Sequence, residues 1–174
     1  FLLQMRYIML NHVVHGIDPV YDQNSEILIL GSFPSVKSRE ACFFYGHPRN
    51  RFWPVLAALR KEPLPASTKE KRNFLLRNHI AVWDVIESCD IEGSSDSSIR
   101  NAVPNNLNLI LKTAPIRQIY TNGGVSAKLY DKYCLPFTKI PAVKLPSTSP
   151  ANAAASLEKL TGAWGCINVN LPPC

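Results

Sequence analysis

The hydrophobic positions of this chain fall into short continuous apolar runs separated by stretches of helical spacing. Ser25-Glu-Ile-Leu-Ile-Leu-Gly31 is an apolar run closed by glycine, and Ile80-Ala-Val-Trp-Asp84 is a second that ends on a carboxylate. Runs of this length without polar alternation predict strands buried on both faces, as in a parallel sheet. Ile116–Thr121 and Ala142–Leu145 read as two further strands. Helical spacing links Phe52, Val55, Leu56 and Leu59, with Pro54 tolerable in a first turn. Phe74–Asn78, Leu107–Lys112, Val125–Tyr133 and Ala151–Leu160 also read as helix. The rest reads as connections: a polar, aromatic loop reaching Asn50, a Pro- and Lys-rich stretch at 61–72, a Ser-rich loop at Gly93–Ser98, a turn at Asn122–Gly124 and a loop at Pro146–Pro150.

Strands alternating with helices predict an α/β fold, a three-layer α/β/α sandwich with a mainly parallel central sheet, formed as one domain by residues 1–174. Open sheets of this kind bind ligands beyond the carboxyl ends of their strands. Those ends carry Gly31–Ser35, Asp84, Asn122-Gly123 and Pro146–Asn152, so a candidate site follows from the pattern alone.

Composition narrows the partners. At 46% hydrophobic and 18% charged, 174 residues can bury a core, which excludes wholesale disorder. The net charge is +6 and the pI about 9.2, unevenly distributed. Residues 37–77 hold ten basic and three acidic side chains, whereas residues 80–110 hold one basic and five acidic. A polarised basic protein suits a polyanion such as nucleic acid, although a solvated basic surface has the same composition. Five cysteines, an odd number without C-x-x-C spacing, argue against a disulfide framework or zinc ribbon and for a reducing compartment. The apolar opening Phe1–Val14 is broken by Gln4, Arg6, Asn11 and His12 and has no cleavage site, so it reads as neither signal peptide nor membrane span. The expectation is a soluble, cytoplasmic monomer with no membrane partner, starting natively at Met5 or Met9.

Three segments carry candidate chemistry. Gly31-Ser-Phe-Pro-Ser35 places a glycine and two hydroxyls on a strand-to-loop turn, whose N–H groups can cradle an oxyanion or a base carbonyl; an ordinary Gly-Pro turn looks the same. Phe43-Phe-Tyr-Gly-His-Pro-Arg-Asn-Arg-Phe-Trp53 interleaves five aromatic residues with His47, Arg49 and Arg51. Aromatic faces stack bases and guanidinium groups meet phosphates. Phe52 and Trp53 begin a helix and read as core, leaving Phe44 and Tyr45 for stacking. Leu145-Pro-Ser-Thr-Ser-Pro-Ala-Asn152 supplies hydroxyls before a helix, where Ser149 or Asn152 could equally be an N-cap. Gly93–Ser98 fits a phosphate clamp or a plain solvated loop. No HExxH, nucleophile elbow, P-loop or GxGxxG occurs, which removes the main support for metalloprotease, esterase and NTPase readings.

Taken together and in this order, ILILGSFPS, FFYGHPRNRFW and LPSTSPAN resemble the motifs of the uracil-DNA glycosylase superfamily. The Gly-His-Pro-Arg-Asn-Arg-Phe-Trp run is similar to mismatch-specific uracil-DNA glycosylases, and the three motifs together most resemble the hypoxanthine-DNA glycosylase branch. The resemblance spans roughly residues 12–161. Many relatives place the attacking water with an Asp or Asn at the third position of the first motif, where this chain has Phe33. The hypoxanthine branch uses an Asn outside that motif, and the matching residue is Asn50. A neutral amide can orient water through its carbonyl oxygen, which suffices if the base largely departs before water attacks. Asn50 is also a natural cap for the helix at Phe52.

The resemblance implies the remaining roles. Ser32, Phe33, Ser35, Phe44, Tyr45 and Asp84 would bind the extruded base. Asp84 would accept the N1–H of hypoxanthine or the N3–H of uracil and repel N1 of adenine; a cap on a turn at Val85–Ser88 is the plainer use. His47, Arg49, Arg51, Ser147, Thr148, Ser149 and Asn152 would contact DNA. Leu145 stands where relatives often have a His, and only Pro150 and Ala151 could act as a wedge. The expected activity is a monofunctional DNA glycosylase removing hypoxanthine and secondarily uracil, with no lyase step, metal or organic cofactor. A non-catalytic lesion-binding protein and a free-nucleoside hydrolase remain the alternatives.

Overall fold

The computed structural model describes residues 10–168; the expectations for a native start at Met5 or Met9 and for most of the apolar opening lie outside them. In chain order the elements are β1 (Asn11–Val14), β2 (Ile27–Gly31), α1 (Val36–Ala41), α2 (Phe52–Arg60), α3 (Thr68–Arg77), β3 (Ile80–Asp84), β4 (Ile86–Ile91), β5 (Arg100–Pro104), α4 (Asn108–Leu111), β6 (Gln118–Asn122), α5 (Gly124–Tyr133), α6 (Leu135–Thr138), β7 (Ala142–Leu145) and α7 (Leu157–Trp164), with 3-10 turns at Asp96–Ser98 and Gly165–Ile167. Four strands form a wholly parallel sheet in the order β3-β2-β6-β7. Every residue of β2 and β3 is buried, which is why these two runs carry no polar alternation.

The strand order positions the site. From β2 the chain moves outward to β3, and from β6 it moves outward in the opposite direction to β7. α3 packs against β3, α5 against β6 and β7, and α7 returns to pack against α2; right-handed crossovers running outward in opposite directions would set α3 and α5 on opposite faces. β2 and β6, side by side at the reversal, open a crevice beyond Gly31 and Asn122. Parallel register sets Gly31 beside Asp84 and Asn122 beside Leu145, bringing four strand ends together. The outer edge of β3 is closed by Val20, which pairs antiparallel with Val82, and by Trp83 Nε1 donating to the Ile17 carbonyl.

Several elements differ from the sequence reading. A second sheet, antiparallel in the order β1-β4-β5, was not expected. It removes the turn assigned to Val85–Ser88: Val85 and Ile86 donate to the carbonyls of Gly31 and Ser32 at 2.8 and 3.1 Å, and β4 starts at once, so Asp84 caps nothing there. The loop after Ser35 contains α1, capped by the Ser35 hydroxyl, which accepts from Ser38 N–H. The stretch at 61–72 is not all connection, because α3 begins at Thr68 behind a capping box of Ser67 and Glu70. The last helix starts at Leu157 rather than Ala151, with Ser156 as N-cap; neither Ser149 nor Asn152 caps it. Cys42, Cys89, Cys134 and Cys166 are free thiols. Among the described residues no helix is long and apolar enough to cross a membrane.

Candidate active site

A cavity of about 290 Å³ lies beyond the carboxyl ends of β2, β3, β6 and β7. That is at the lower end of the range for small-molecule pockets, ~300–1,000 Å³, and suits one planar base better than a larger ligand. All three sequence motifs reach it.

Its floor is acidic. Asp84 is 4% exposed and lines the cavity, and its Oδ2 is buried with no hydrogen-bond partner among the described residues. Gly31 makes the space for it: a Cβ there would lie 2.5 Å from Asp84 Oδ1 and 3.3 Å from the Tyr45 hydroxyl. Asp96 also lines the cavity and accepts from Ser32 Oγ at 2.8 Å. No arginine or lysine pairs with either carboxyl among the described residues. Burial, then repulsion from Asp96, pushes Asp84 up to about 8. Burial raises Asp96 as well, against the opposing pull of the Ser32 hydrogen bond.

The aromatic segment forms one wall. Phe44 is buried, and Tyr45 is half-buried with its ring stacked 3.8 Å from that of Phe52. Tyr45 holds a positive φ of 52°, a conformation that costs a bulky residue energy and aims its ring at the cavity. Its buried hydroxyl faces Asn122 and Asp84 without a hydrogen bond of normal geometry, and burial followed by the Asp84 charge pushes its pKa well above the ordinary tyrosine value. Gly46 brings this segment onto α1, donating to Ser38 Oγ at 2.9 Å. The Phe33 ring is buried edge-on against His15 and under the Arg39 guanidinium, so the side chain contributes shape and no polar atom.

The opposite wall is a continuous chain of hydrogen bonds. Asn122 accepts from Thr148 N–H at 3.0 Å and donates to Thr148 Oγ1 at 2.9 Å. Thr148 Oγ1 donates in turn to Asn50 Oδ1 at 2.9 Å, and the same oxygen accepts from Phe52 N–H at 2.9 Å. Both lone pairs of the Asn50 carbonyl are therefore engaged, and the polar group this lining residue has left is its Nδ2 amide, which makes no hydrogen bond among the described residues. This corrects the expectation that its carbonyl oxygen orients water: helix entry and the second motif already hold that atom.

Arg51 is likewise committed. Its guanidinium donates to the carbonyls of Ser149 and Asn152, each at 2.8 Å, and to that of Ala155. Asn152 Nδ2 donates to the Ser147 carbonyl, and the Ser147 and Ser149 hydroxyls accept from N–H groups two residues on. The loop at 147–155 is thus shaped by the protein itself, and its carbonyls are withheld from helix, which explains the late start of α7. Arg51 and Asn152 hold the loop instead of reaching outward. Ser147, Thr148 and Ser149 line the cavity, as does His47, whose Nδ1 accepts from Arg49 N–H. The Arg49 side chain is exposed and makes no hydrogen bond among the described residues.

Ser38, Ser94 and Asp96 also line the cavity and were not named as site residues from the sequence. Asp96 lies in the Ser-rich loop, which folds over the first motif through Ser94 Oγ on Val36 N–H and the Gly93 carbonyl on Arg39. Asn122 was placed at the site with the other strand ends but read as a turn and given no role there. Among the described residues no group of three or more His, Cys, Asp or Glu is placed to hold a metal ion.

Comparison with known proteins agrees with this geometry. The model of the uracil DNA glycosylase superfamily matches residues 19–165. A hypoxanthine DNA glycosylase of Methanosarcina acetivorans is 34% identical over 144 residues, 80% of this chain and 89% of that protein. One from Methanosarcina barkeri is 36% identical over 115 residues, 65% and 73% respectively. The solution NMR structure of a Methanosarcina acetivorans protein, provisionally named a uracil DNA glycosylase, superposes with a TM-score of 0.75 at 32% identity, covering 88% of this chain and 94% of that one. With its motifs converging on one cavity at the switch point of the sheet, this chain belongs to the uracil DNA glycosylase superfamily.

Proposed function

We propose that this DNA glycosylase excises hypoxanthine from DNA, and uracil secondarily, by extruding the nucleotide and hydrolysing its N-glycosidic bond. The observation that carries the reading is the base-sized cavity whose floor holds a buried, unpartnered Asp84 beside the Tyr45 ring. Hypoxanthine and uracil share an edge with a ring N–H next to a carbonyl, which one carboxyl can meet with both its oxygens. Weak pairing of a deaminated base lowers the cost of taking it out of the stack. The N–H groups of Phe33 and Ser35 find no acceptor among the described residues and are available to the base.

Asn50 holds the water through its Nδ2 amide, fixed by Thr148 and Phe52. It orients the water without deprotonating it, adequate for an oxocarbenium-like transition state in which the bond to the base is nearly broken before water adds. His47 and Arg49 face the phosphates, which themselves help stabilise the cationic sugar. Among the described residues no lysine lines the cavity, so hydrolysis ends at an abasic site without a Schiff base. The test is a strand-nicking assay on labelled duplexes carrying inosine, uracil opposite G, uracil opposite A, or thymine opposite G, with alkali to reveal abasic sites. Cleavage led by inosine is expected. Cleavage led by uracil would reverse the substrate order, and none with excess enzyme would leave a lesion binder.

A further inference from the structure

We infer that Asp84 acts as a neutral carboxylic acid, donating its proton to the carbonyl oxygen of the departing base, and that Asp96 is the residue that keeps it neutral. This rests on the reading of the cavity as a base pocket and adds the acid that the reaction needs. The second motif has Leu145 where an imidazole could have aided the leaving group, and Leu145 is buried and inert. On the opposite wall Asn122, Thr148 and the Asn50 carbonyl are hydrogen-bonded to one another, which leaves the Asn50 amide, a donor without a transferable proton. Asp84 lines the cavity, and its carboxyl is the one there with a buried oxygen that has no partner among the described residues.

The groups around Asp84 favour the neutral form. Gly31 contributes only backbone, and the loop at Phe43–Trp53 contributes the Tyr45 hydroxyl, itself a poor donor of charge. The 3-10 turn contributes Asp96, whose negative charge opposes a second one. From β1 and the residues after it, His15 bonds the Ile86 carbonyl and is shifted by burial toward its uncharged form. Asn105 holds the Asp84 backbone carbonyl and not its side chain. Arg39 is directed to the Gly93 carbonyl and the Phe33 ring. Two ionised carboxylates here would also repel the phosphates flanking a flipped nucleotide.

As an acid, Asp84 pairs with hypoxanthine twice: O–H to O6, and carbonyl oxygen to N1–H. When the C1′–N9 bond breaks, its electron pair leaves with the purine and spreads to O6, where the Asp84 proton transfers. Water adds to C1′ and releases a proton, which restores the acid through solvent. The product base is neutral, and the sum is addition of one water across the glycosidic bond. The same acid could pair with N1 and N6 of adenine, so rejection of adenine falls to the greater cost of extruding a matched base.

Single-turnover excision of inosine is measured from about pH 5.5 to 9.5 with enzyme in excess, where the rate reports the bound complex. The wild-type rate should be flat and then fall about tenfold per pH unit once Asp84 ionises. Asp84→Asn keeps both hydrogen bonds without a transferable proton, and should be ~10²-fold slower with no alkaline fall. Asp96→Asn removes the opposing charge and should start the fall at lower pH. An alkaline limb unchanged in Asp84→Asn belongs to the substrate's own N1 proton and overturns the proposal, as does a rate that rises with pH. Carbon-13 NMR titration of the Asp84 carboxyl in free protein separates the two readings. A carboxyl that is ionised at neutral pH in protein that excises inosine overturns the acid and leaves the glycosylase assignment standing. A neutral carboxyl in protein that excises nothing overturns the assignment.

Discussion

Two sets of polar groups meet at the same end of the sheet and are used in opposite ways. Asn50, Arg51, Asn122 and Thr148 direct hydrogen bonds at one another or at the second-motif loop, and nearly every donor and acceptor they offer inward is satisfied by protein. Asp84 and Tyr45 are as deeply placed, yet among the described residues Asp84 Oδ2 and the Tyr45 hydroxyl make no hydrogen bond of normal geometry. Buried polar atoms without partners cost about 1–3 kcal/mol each, so folding alone does not explain them. The satisfied set fixes shape, and the unsatisfied set waits for a ligand.

The largest expected effect comes from breaking the satisfied wall where it touches the cavity. Asn50→Ala removes the amide that faces the water, and should slow excision of inosine by ~10²–10⁴-fold while leaving duplex binding within a few-fold. A gel shift and a single-turnover assay on the same duplex check both halves. A non-catalytic binder would change in neither. The lost Asx contact to Phe52 N–H should cost about 1 kcal/mol in stability, too little to unfold the chain.

Next is Gly31→Ala, which disturbs the unsatisfied set without deleting it. The new Cβ would sit 2.5 Å from Asp84 Oδ1, so the carboxyl or the strand must move. Misplacement of a reacting group by about 1 Å can cost ~10² in rate, and overpacking about 1–3 kcal/mol in stability. Excision rate together with thermal unfolding measures both.

Asp84→Asn should do what few core substitutions do and stabilise the protein. The folded carboxyl titrates near 8, above its value in the unfolded chain. Folding therefore takes up a proton between those limits, and the stability Asp84 contributes is fully present in acid and lost as pH rises toward 8. Each unit in that window costs about 1.4 kcal/mol, so the gain from Asp84→Asn should widen by roughly 3 kcal/mol between pH 5 and pH 7. Chemical denaturation at the two pH values checks it. An equal gain at both would mean that the carboxyl is already ionised at pH 5.

This division explains what the sequence could and could not reveal. β2 and β3 were legible because strands buried on both faces need unbroken apolar runs, and the position of Asp84 at the end of one put it in the site. The antiparallel sheet was not, because β4 reads Ile-Glu-Ser-Cys-Asp-Ile, and its buried Ser88 and half-buried Asp90 disguise a strand as a turn. The capping box of Ser67 and Glu70 was there to be read but lay within a Pro- and Lys-rich stretch. Alanines at 151 and 153–155 favour helix locally, yet Arg51, about a hundred residues away, takes the carbonyls that helix would use. Local pattern finds the elements; long-range hydrogen bonds decide where they stop. Asp96 was missed for the same reason, since only tertiary structure sets it opposite Asp84.

The smallest effect separates two arginines that lie two positions apart and look interchangeable in the sequence. Arg49 is exposed and its guanidinium has no partner among the described residues, whereas Arg51 is half-buried on three carbonyls. If Arg49 meets one phosphate, Arg49→Ala should weaken binding equally for damaged and undamaged duplex and reduce the slope of log affinity against log salt by about 0.9. Arg51→Ala releases no counterion when DNA binds, so its slope should stay at the wild-type value. Its cost should appear instead as lower stability and slower excision, because the loop carrying Thr148 loses its anchor. Affinity titrations at a few salt concentrations distinguish the two, and equal slope changes for both variants would mean that Arg51 leaves its carbonyls to bind DNA.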